Sequence, residues 1–210
     1  MAIICPTITA FDTNEYRRQV ETVQPFASRI HIDLMDGQFA PSVSPPLDTI
    51  WWPYSQEADV HLMYQKPMEY LEELIKLKPR MVVIHNEASV HHMHFAAALH
   101  QADILVGLAI LQDTPVEWAY QIMHSFDHVL IFSGNLGYNG GHADLGLLSK
   151  VAKIREHHPD AEIGWDGGIN DKNAQSLIEA GVDVLNVGGF IHKSSDADAA
   201  YATLEAIIRL

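Results

Sequence analysis

The strongest constraint on the fold is a regular alternation between short apolar runs and amphipathic segments. Eight runs have the composition of β-strands, and segments with the apolar spacing of a helix separate most of them. We predict strands at 2–9, 29–35, 58–64, 80–86, 103–110, 128–134, 161–167 and 182–189. Strands that alternate with helices in this way form a parallel sheet, because each helix carries the chain back to where the next strand begins.

The helical segments are recognised by apolar side chains three or four residues apart, as in Tyr16, Val20 and Val23. Asn14 and Ser195 are candidate first residues of two helices, because short polar side chains accept hydrogen bonds from the free N–H groups of a first turn.

About eight such units in 210 residues predict an α/β fold of the (β/α)8 TIM-barrel type, as a single domain that spans residues 1–210. The alternative is an open doubly wound sheet, which usually has fewer strands and a glycine-rich first turn. The segment after the first strand, TITAFDTNEY at 7–16, contains no glycine, so the dinucleotide-binding fingerprint is absent. We therefore expect the barrel.

The charge of the chain excludes several classes of partner. The formal net charge is -14 at pH 7 without a cluster of Lys or Arg, so we expect binding neither to nucleic acid nor to a membrane. No apolar run approaches the roughly 18–20 residues of a membrane-spanning helix. The N-terminal segment has no basic leader and Cys5 is the only cysteine, which predicts a cytoplasmic protein. An anionic substrate would need a local positive field to enter.

The segment HIDLMDGQFAPS at 31–42 places chemically active side chains on one face of a predicted strand. His31, Asp33 and Met35 alternate with Ile32 and Leu34. Strand residues in a barrel alternate between its interior and the surrounding helices. If the two aliphatic residues pack under the helices, the other three point inward, toward the end of the barrel where active sites form.

Two more predicted strands offer matching groups at the same depth. His61 and Met63 alternate along the third strand, and Asp166 ends the seventh strand just before a glycine turn. Two imidazoles and two carboxylates form a credible site for Zn²⁺, Fe²⁺, Mn²⁺ or Co²⁺. Alternatively, each His is a hydrogen-bonded structural residue and the Asp-Gly pair only a turn. Burial of two unpaired carboxylates would be costly, which favours the metal site.

Together these segments resemble the ribulose-phosphate 3-epimerase family. The resemblance covers nearly the whole chain, and the second-strand and third-strand motifs are specific together. The matching segments, in the family's order, are CPTI (5–8), HIDLMDGQFAPS (31–42), DVHLM (59–63), HNEAS (85–89), GLAILQDTPVEW (107–118), WDGGIN (165–170) and NVGGFI (186–191). The family is a (β/α)8 barrel that interconverts D-ribulose 5-phosphate and D-xylulose 5-phosphate with one divalent metal ion, commonly zinc or iron.

The resemblance implies a two-carboxylate mechanism, with Asp33 and Asp166 as the two acid/base groups. A carboxylate alone is a weak base for the α-proton of a ketone, so a metal must stabilise the enediolate. Inversion of the carbon also needs proton removal on one face and proton return on the other. The implied metal ligands are His31, Asp33, His61 and Asp166.

The resemblance also assigns substrate contacts. Thr7 stands where the family usually has Ser and would hydrogen-bond a substrate oxygen. Met35 and Met63 would hold water-excluding sulfur against the intermediate. In the family, backbone N–H groups and a helix N-terminus of the sixth-strand and eighth-strand loops hold the substrate phosphate. The corresponding contacts here would be Gly137, Gly140, Gly141, Gly188 and Gly189, and Gly167 after the seventh strand would be a further substrate contact.

The sixth-strand loop departs from the family pattern. It reads SGNLGYNGGHAD at 133–144 where the family reads close to EPGFGGQ, and Gly189 stands where Ser is usual. We therefore expect a sugar phosphate as the small-molecule partner, with D-allulose 6-phosphate or an unphosphorylated ketose as alternative substrates.

Two other classes of protein remain to be weighed. A catalytically silent sugar-phosphate-binding barrel would keep the fold without the reaction. The related decarboxylase and hexulose-phosphate synthase group carries an Asp-x-Lys-x-x-Asp array, and Met35 stands where its Lys would be needed. The resemblance also implies a homo-oligomer in the pentose phosphate pathway.

Overall fold

Eight parallel strands form a closed barrel in a computed structural model that describes residues 2–209. Each strand pairs with its neighbour in sequence, and the last pairs with the first. This closure confirms the (β/α)8 barrel and excludes the open sheet. The strands are β1 (Ile3–Thr9), β2 (Arg29–Met35), β3 (Glu57–Met63), β4 (Met81–His85), β5 (Leu105–Ile110), β6 (His128–Phe132), β7 (Glu162–Asp166) and β8 (Val184–Val187).

Helices surround the barrel and vary in length from one turn to three. Within residues 2–209, none is long and apolar enough to cross a membrane. The helices are α1 (Thr13–Val23), α2 (Leu71–Leu77), α3 (His92–His100), α4 (Tyr120–Met123), α5 (Leu148–His157), α6 (Ala174–Glu179), α7 (Gly189–His192) and α8 (Ala197–Ile208). Short 3₁₀ turns lie at Leu47–Thr49, Pro67–Tyr70, Val116–Ala119 and Leu145–Leu147.

The two faces of β2 point in the directions that the alternation predicts. Ile32 and Leu34 belong to the main hydrophobic core together with Tyr16, Val20 and Val23 of α1. Each such fully buried aliphatic side chain contributes about 1.5–3 kcal/mol to folding. The alternate residues of the strand consequently face the interior of the barrel.

The helix starts differ from the prediction by one or two residues. The side chain of Asp12, not Asn14, caps α1 by accepting hydrogen bonds from two N–H groups of the first turn. Asp196, not Ser195, caps α8 by accepting a hydrogen bond from the backbone N–H of Ala199. The carboxylates take these positions because an anion also complements the positive end of a helix dipole.

A buried ionic network fills the N-terminal end of the barrel interior. Arg29 donates to Asp59 at 2.7 Å and to both oxygens of Glu162 at 3.0 and 2.7 Å. Arg80 donates to Asp59 at 3.0 Å, and His128 Nδ1 lies 2.9 Å from Glu162. Buried charges are tolerated when they are paired in this way. The cavity described below lies at the opposite end of the barrel.

Candidate active site

Four titratable side chains converge inside the C-terminal end of the barrel. His31 and Asp33 come from β2, His61 from β3 and Asp166 from the end of β7. All four are buried, and each offers one ligand atom within 4.8 Å of the other three. The barrel brings them together because Asp33 and His61 are register partners on neighbouring strands, while β7 reaches the same depth from the other side.

Asp33 lies at the centre of the cluster. Its Oδ1 lies 2.9 Å from His61 Nδ1 and 3.3 Å from His31 Nε2. Its Oδ2 accepts a hydrogen bond of 2.7 Å from the hydroxyl of Thr9. Asp166 Oδ2 lies 3.9 Å from both ring nitrogens. The four side chains therefore surround one small volume.

The neighbouring side chains give the two buried carboxylates different acidities. Burial, followed by the charge of Asp33, raises the pKa of Asp166 to about 7. Burial also acts to raise the pKa of Asp33, but the imidazoles of His31 and His61 outweigh it and hold that pKa well below its usual range. Burial lowers the pKa of His61 to about 3, so this ring is neutral at neutral pH, as a metal ligand must be.

The donor set fits a divalent metal ion. His31 Nε2 is buried and has no hydrogen-bond partner among residues 2–209, although it faces both carboxylates. Two facing carboxylates in a buried site repel each other unless a cation lies between them. Imidazole nitrogen together with carboxylate oxygen suits Zn²⁺, Fe²⁺, Mn²⁺ and Co²⁺. The cluster could therefore hold such an ion.

A third histidine and a glutamate extend the cluster toward β4. His61 Nε2 lies 2.9 Å from His85 Nε2, and His85 Nδ1 lies 3.6 Å from Glu87 Oε2. Glu87 Oε1 in turn accepts a hydrogen bond from the backbone N–H of Leu111. Both side chains lie in the segment HNEAS, to which the sequence analysis assigned no role. The sequence feature that could have identified them is a His at an inward position of β4, followed two residues later by a Glu.

A cavity of about 240 Å³ opens above the cluster, with Asp33 and Asp166 among the residues that line it. Met35, another expected contact, is 1% exposed and packs against Met63 and Ala40 instead of lining the cavity. The other expected contacts that line the cavity are Thr7, Met63, Gly137, Gly140, Gly141, Gly167, Gly188 and Gly189.

Lys193, Asn139 and Asn186 are among the cavity-lining residues that the sequence did not predict as contacts. Lys193 follows α7 and is the only lysine or arginine that lines the cavity in the described part of the chain. A Cβ built on Gly140 would lie 3.0 Å from Lys193 Nζ, so the ammonium group lies beside the expected glycine turn. The sequence feature that could have identified Lys193 is its place four residues after a Gly-Gly pair, because basic residues are few in this acidic chain.

The turn after β7 requires glycine. Gly167 has a φ of +113° and Gly168 a φ of +72°, values that residues other than glycine rarely adopt. A Cβ on Gly167 would overlap the backbone of Gly134, and one on Gly168 would overlap the backbone of Ala143. The loop at 133–144 therefore packs directly on this turn, which joins it to the end of the strand that carries Asp166.

Comparisons with known proteins place the chain among enzymes of one family. A family model described as the ribulose-phosphate 3 epimerase family matches residues 3–192. Ribulose-phosphate 3-epimerase of Helicobacter pylori is 30% identical, and the alignment covers 97% of each chain. The protein of the same name from Bacillus subtilis is 27% identical over 97% of this chain and 98% of its own length.

Solved structures of other enzymes share the fold at low sequence identity. The 3-hexulose-6-phosphate synthase from Salmonella typhimurium superposes with a TM-score of 0.72 at 13% identity, over 100% of this chain and 99% of that one. KGPDC from Streptococcus mutans gives a TM-score of 0.75 at 10% identity, over 99% of this chain and 97% of that one. At such identities the likeness shows the barrel and nothing more.

Proposed function

Because the chain belongs to the ribulose-phosphate 3-epimerase family, whose members are isomerases, we propose that it inverts carbon 3 of a ketose phosphate. D-Ribulose 5-phosphate and D-xylulose 5-phosphate are the substrate pair that we propose. The observation that carries this proposal is the convergence of two carboxylates and two imidazoles beneath a cavity lined by glycine turns.

We propose that Zn²⁺, Fe²⁺, Mn²⁺ or Co²⁺ is held by the cluster His31, Asp33, His61 and Asp166. When bound, a divalent ion supplies positive charge beside the substrate oxygens on which negative charge develops as the α-proton leaves.

The two carboxylates act as the acid and the base. Asp33 and Asp166 lie three strands apart around the barrel, and both line the cavity. One removes the proton of carbon 3 from one face of the substrate, and the other returns a proton to the opposite face. The direction of the reaction decides which carboxylate removes the proton. Two carboxylates on separate strands meet this requirement, whereas one carboxylate would return the proton to the face from which it came.

Apolar side chains exclude water from the reacting carbon. Met63 lines the cavity, and Met35 packs against it from behind. Phe132 lies on another part of the wall. Removal of water strengthens the electrostatic interactions of the carboxylates and protects the enediolate from side reactions.

The glycine turns and Lys193 hold the phosphate group. Gly137, Gly140 and Gly141 have φ values of +83°, +97° and +132°, which let the backbone approach a ligand closely. Gly188 and Gly189 lie beside this turn, since a Cβ on Gly189 would lie 3.7 Å from the Cα of Gly140, and Thr7 lines the same cavity. Lys193 supplies the positive charge that a phosphate needs in a chain with a net charge of -14. These features favour a phosphorylated ketose over an unphosphorylated one.

Solvent deuterium exchange tests the reaction. Protein loaded with Zn²⁺ or Fe²⁺ is incubated with D-ribulose 5-phosphate in D₂O, and the substrate and product are analysed by NMR. We expect deuterium at carbon 3 and the appearance of D-xylulose 5-phosphate. Absence of exchange with every pentulose phosphate contradicts the proposal, and binding without exchange identifies a catalytically silent barrel. Faster turnover of D-allulose 6-phosphate would identify that ketose as the substrate instead.

On the basis of the family assignment we also propose that residues 1–210 form one domain, that the protein is cytoplasmic and that it is a homo-oligomer. Analytical ultracentrifugation tests the last of these.

A further inference from the structure

Two buried oxygen atoms on the cavity wall lack a hydrogen-bond partner. They are Oδ1 of Asn186 and Oγ1 of Thr7, and neither is paired within residues 2–209. The two residues are 2% and 3% exposed, respectively. Buried polar groups are nearly always hydrogen-bonded, because an unpaired one destabilises the folded state. Thr7 already has an expected substrate contact, but Asn186 has none.

The register of the barrel places Asn186 between the two halves of the proposed site. On one side its strand partner is Asp166, one of the two proposed proton-transfer groups. Two residues further along the chain, just after β8, Gly188 begins the turn that is proposed to hold the phosphate. Asn186 therefore lies on the stretch of wall that runs from the reacting carbon to the phosphate.

The chemistry of a pentulose 5-phosphate provides a matching group. Between carbon 3, which reacts, and carbon 5, which carries the phosphate, lies only carbon 4 with its hydroxyl group. We propose that Asn186 hydrogen-bonds the 4-hydroxyl of the ketose phosphate and so determines specificity for substrates that carry it. This inference rests on the proposed function, since carbon 3 and the phosphate define the two ends of the substrate.

A comparison of two enzymes on two substrates tests the inference. The enzymes are the wild type and Asn186→Leu, and the substrates are D-ribulose 5-phosphate and its 4-deoxy analogue. For the wild type, we expect kcat/KM to fall about 10- to 100-fold when the hydroxyl is removed, because the amide then stays unpaired. The leucine variant should turn over both substrates at similar, low kcat/KM.

Thermal stability separates recognition from a structural role. Asn186→Leu replaces an unpaired amide by a hydrocarbon of similar size, so Tm should stay the same or rise. Gln56→Met is the matched control, because Gln56 is also buried with an unpaired amide oxygen but precedes β3 at the opposite end of the barrel. This control loses the hydrogen bond from Gln56 to Ala27, so its Tm should fall while its kcat/KM on both substrates stays unchanged.

Several results overturn the inference. One is a wild type that accepts the 4-deoxy analogue as well as the natural substrate, a result that does not depend on whether any variant folds. Another is an equal loss on the analogue in the wild type and in Asn186→Leu. A third is loss of discrimination in Thr7→Val but not in Asn186→Leu, which would assign the contact to Thr7. Absence of exchange by the wild type on ribulose 5-phosphate overturns the proposed function as well, whereas exchange without discrimination overturns this inference alone.

Discussion

The Nε2 atoms of His61 and His85 lie 2.9 Å apart inside the barrel, so one ring donates a hydrogen bond to the other. His61 presents its Nδ1 to the carboxylates of the candidate metal cluster. If that nitrogen binds a metal, the proton of the ring must be on Nε2, and His85 is the acceptor. The proton of His85 is then on Nδ1, which faces Glu87. The contact with His85 thus favours the tautomer of His61 that can act as a ligand.

Replacement of His85 should therefore weaken metal binding. Phenylalanine suits the site because the ring of His85 already packs against those of Phe39 and Phe132, with centroid distances of 4.7 and 5.9 Å. Its ring cannot accept the hydrogen bond from His61. We expect His85→Phe to bind Zn²⁺ about 10- to 100-fold more weakly, as measured by competition with a chromophoric chelator.

The matched control for this variant is His128→Gln. It removes another buried imidazole that contacts a carboxylate, but at the N-terminal end of the barrel, so Zn²⁺ affinity should not change. A Zn²⁺ affinity of His85→Phe within twofold of the wild type would contradict the role of His85. Partial recovery of Zn²⁺ affinity in His85→Gln, whose amide oxygen can accept the hydrogen bond from His61, would support it.

Asp166→Asn should abolish proton transfer at carbon 3. The amide has the shape of the carboxylate but cannot take up the proton, and loss of a general acid or base typically costs about 10²- to 10⁴-fold in rate. Deuterium exchange at carbon 3 measures the effect.

Without metal, Asp166→Asn should also have a higher Tm than the metal-free wild type, since one of two facing buried carboxylates is gone. Exchange at the wild-type rate would exclude Asp166 as an acid or base.

Lys193→Met should weaken substrate binding more than it slows the reaction. The ammonium group lies beside the Gly140 turn that is proposed to hold the phosphate, so its loss removes attraction for phosphate in both the ground state and the transition state. We expect KM for ribulose 5-phosphate to rise about 10-fold with kcat nearly unchanged. Lys172→Met is the control, since Lys172 is exposed and does not line the cavity. Equal KM values in the two variants would show that Lys193 does not contact the phosphate.

The ionic network at the other end of the barrel should make stability dependent on acid pH. Burial acts to raise the pKa of Glu162, but the hydrogen bonds from His128 and Arg29 outweigh it and hold that pKa well below its usual range. The ionised form is therefore favoured in the folded state. Its contribution is fully present above the ordinary value of 4.5 and is lost as the pH falls toward the lowered one.

Glu162→Gln isolates this contribution. We expect the variant to lose about 2–4 kcal/mol in the free energy of unfolding at pH 7, with a smaller difference from the wild type at pH 3. Urea unfolding at both pH values measures it, with the exposed Glu21→Gln as a control that should change little. A difference that stays constant between the two pH values would exclude Glu162 as the titrating group.

Much of the fold could be predicted from local patterns. The alternation of strands and helices specified the barrel, because each βα unit is encoded by neighbouring residues. The period of two in β2 likewise predicted which face packs against α1, as the burial of Ile32 and Leu34 beside Val20 confirms. The caps at Asp12 and Asp196 were missed, because several polar residues near each helix start could serve and only the backbone conformation selects one.

The four residues of the candidate metal cluster could be predicted from sequence, because their motifs are local and each lies at an inward position of its strand. The side chains that join them became evident only once the barrel had closed. Asn186 becomes the neighbour of Asp166, and Lys193 the neighbour of Gly140, through pairing of β8 and packing of α7 at the closed barrel. The spacing of apolar residues along the sequence does not predict such contacts, since they depend on strand register and on loops that meet only after the sheet has closed.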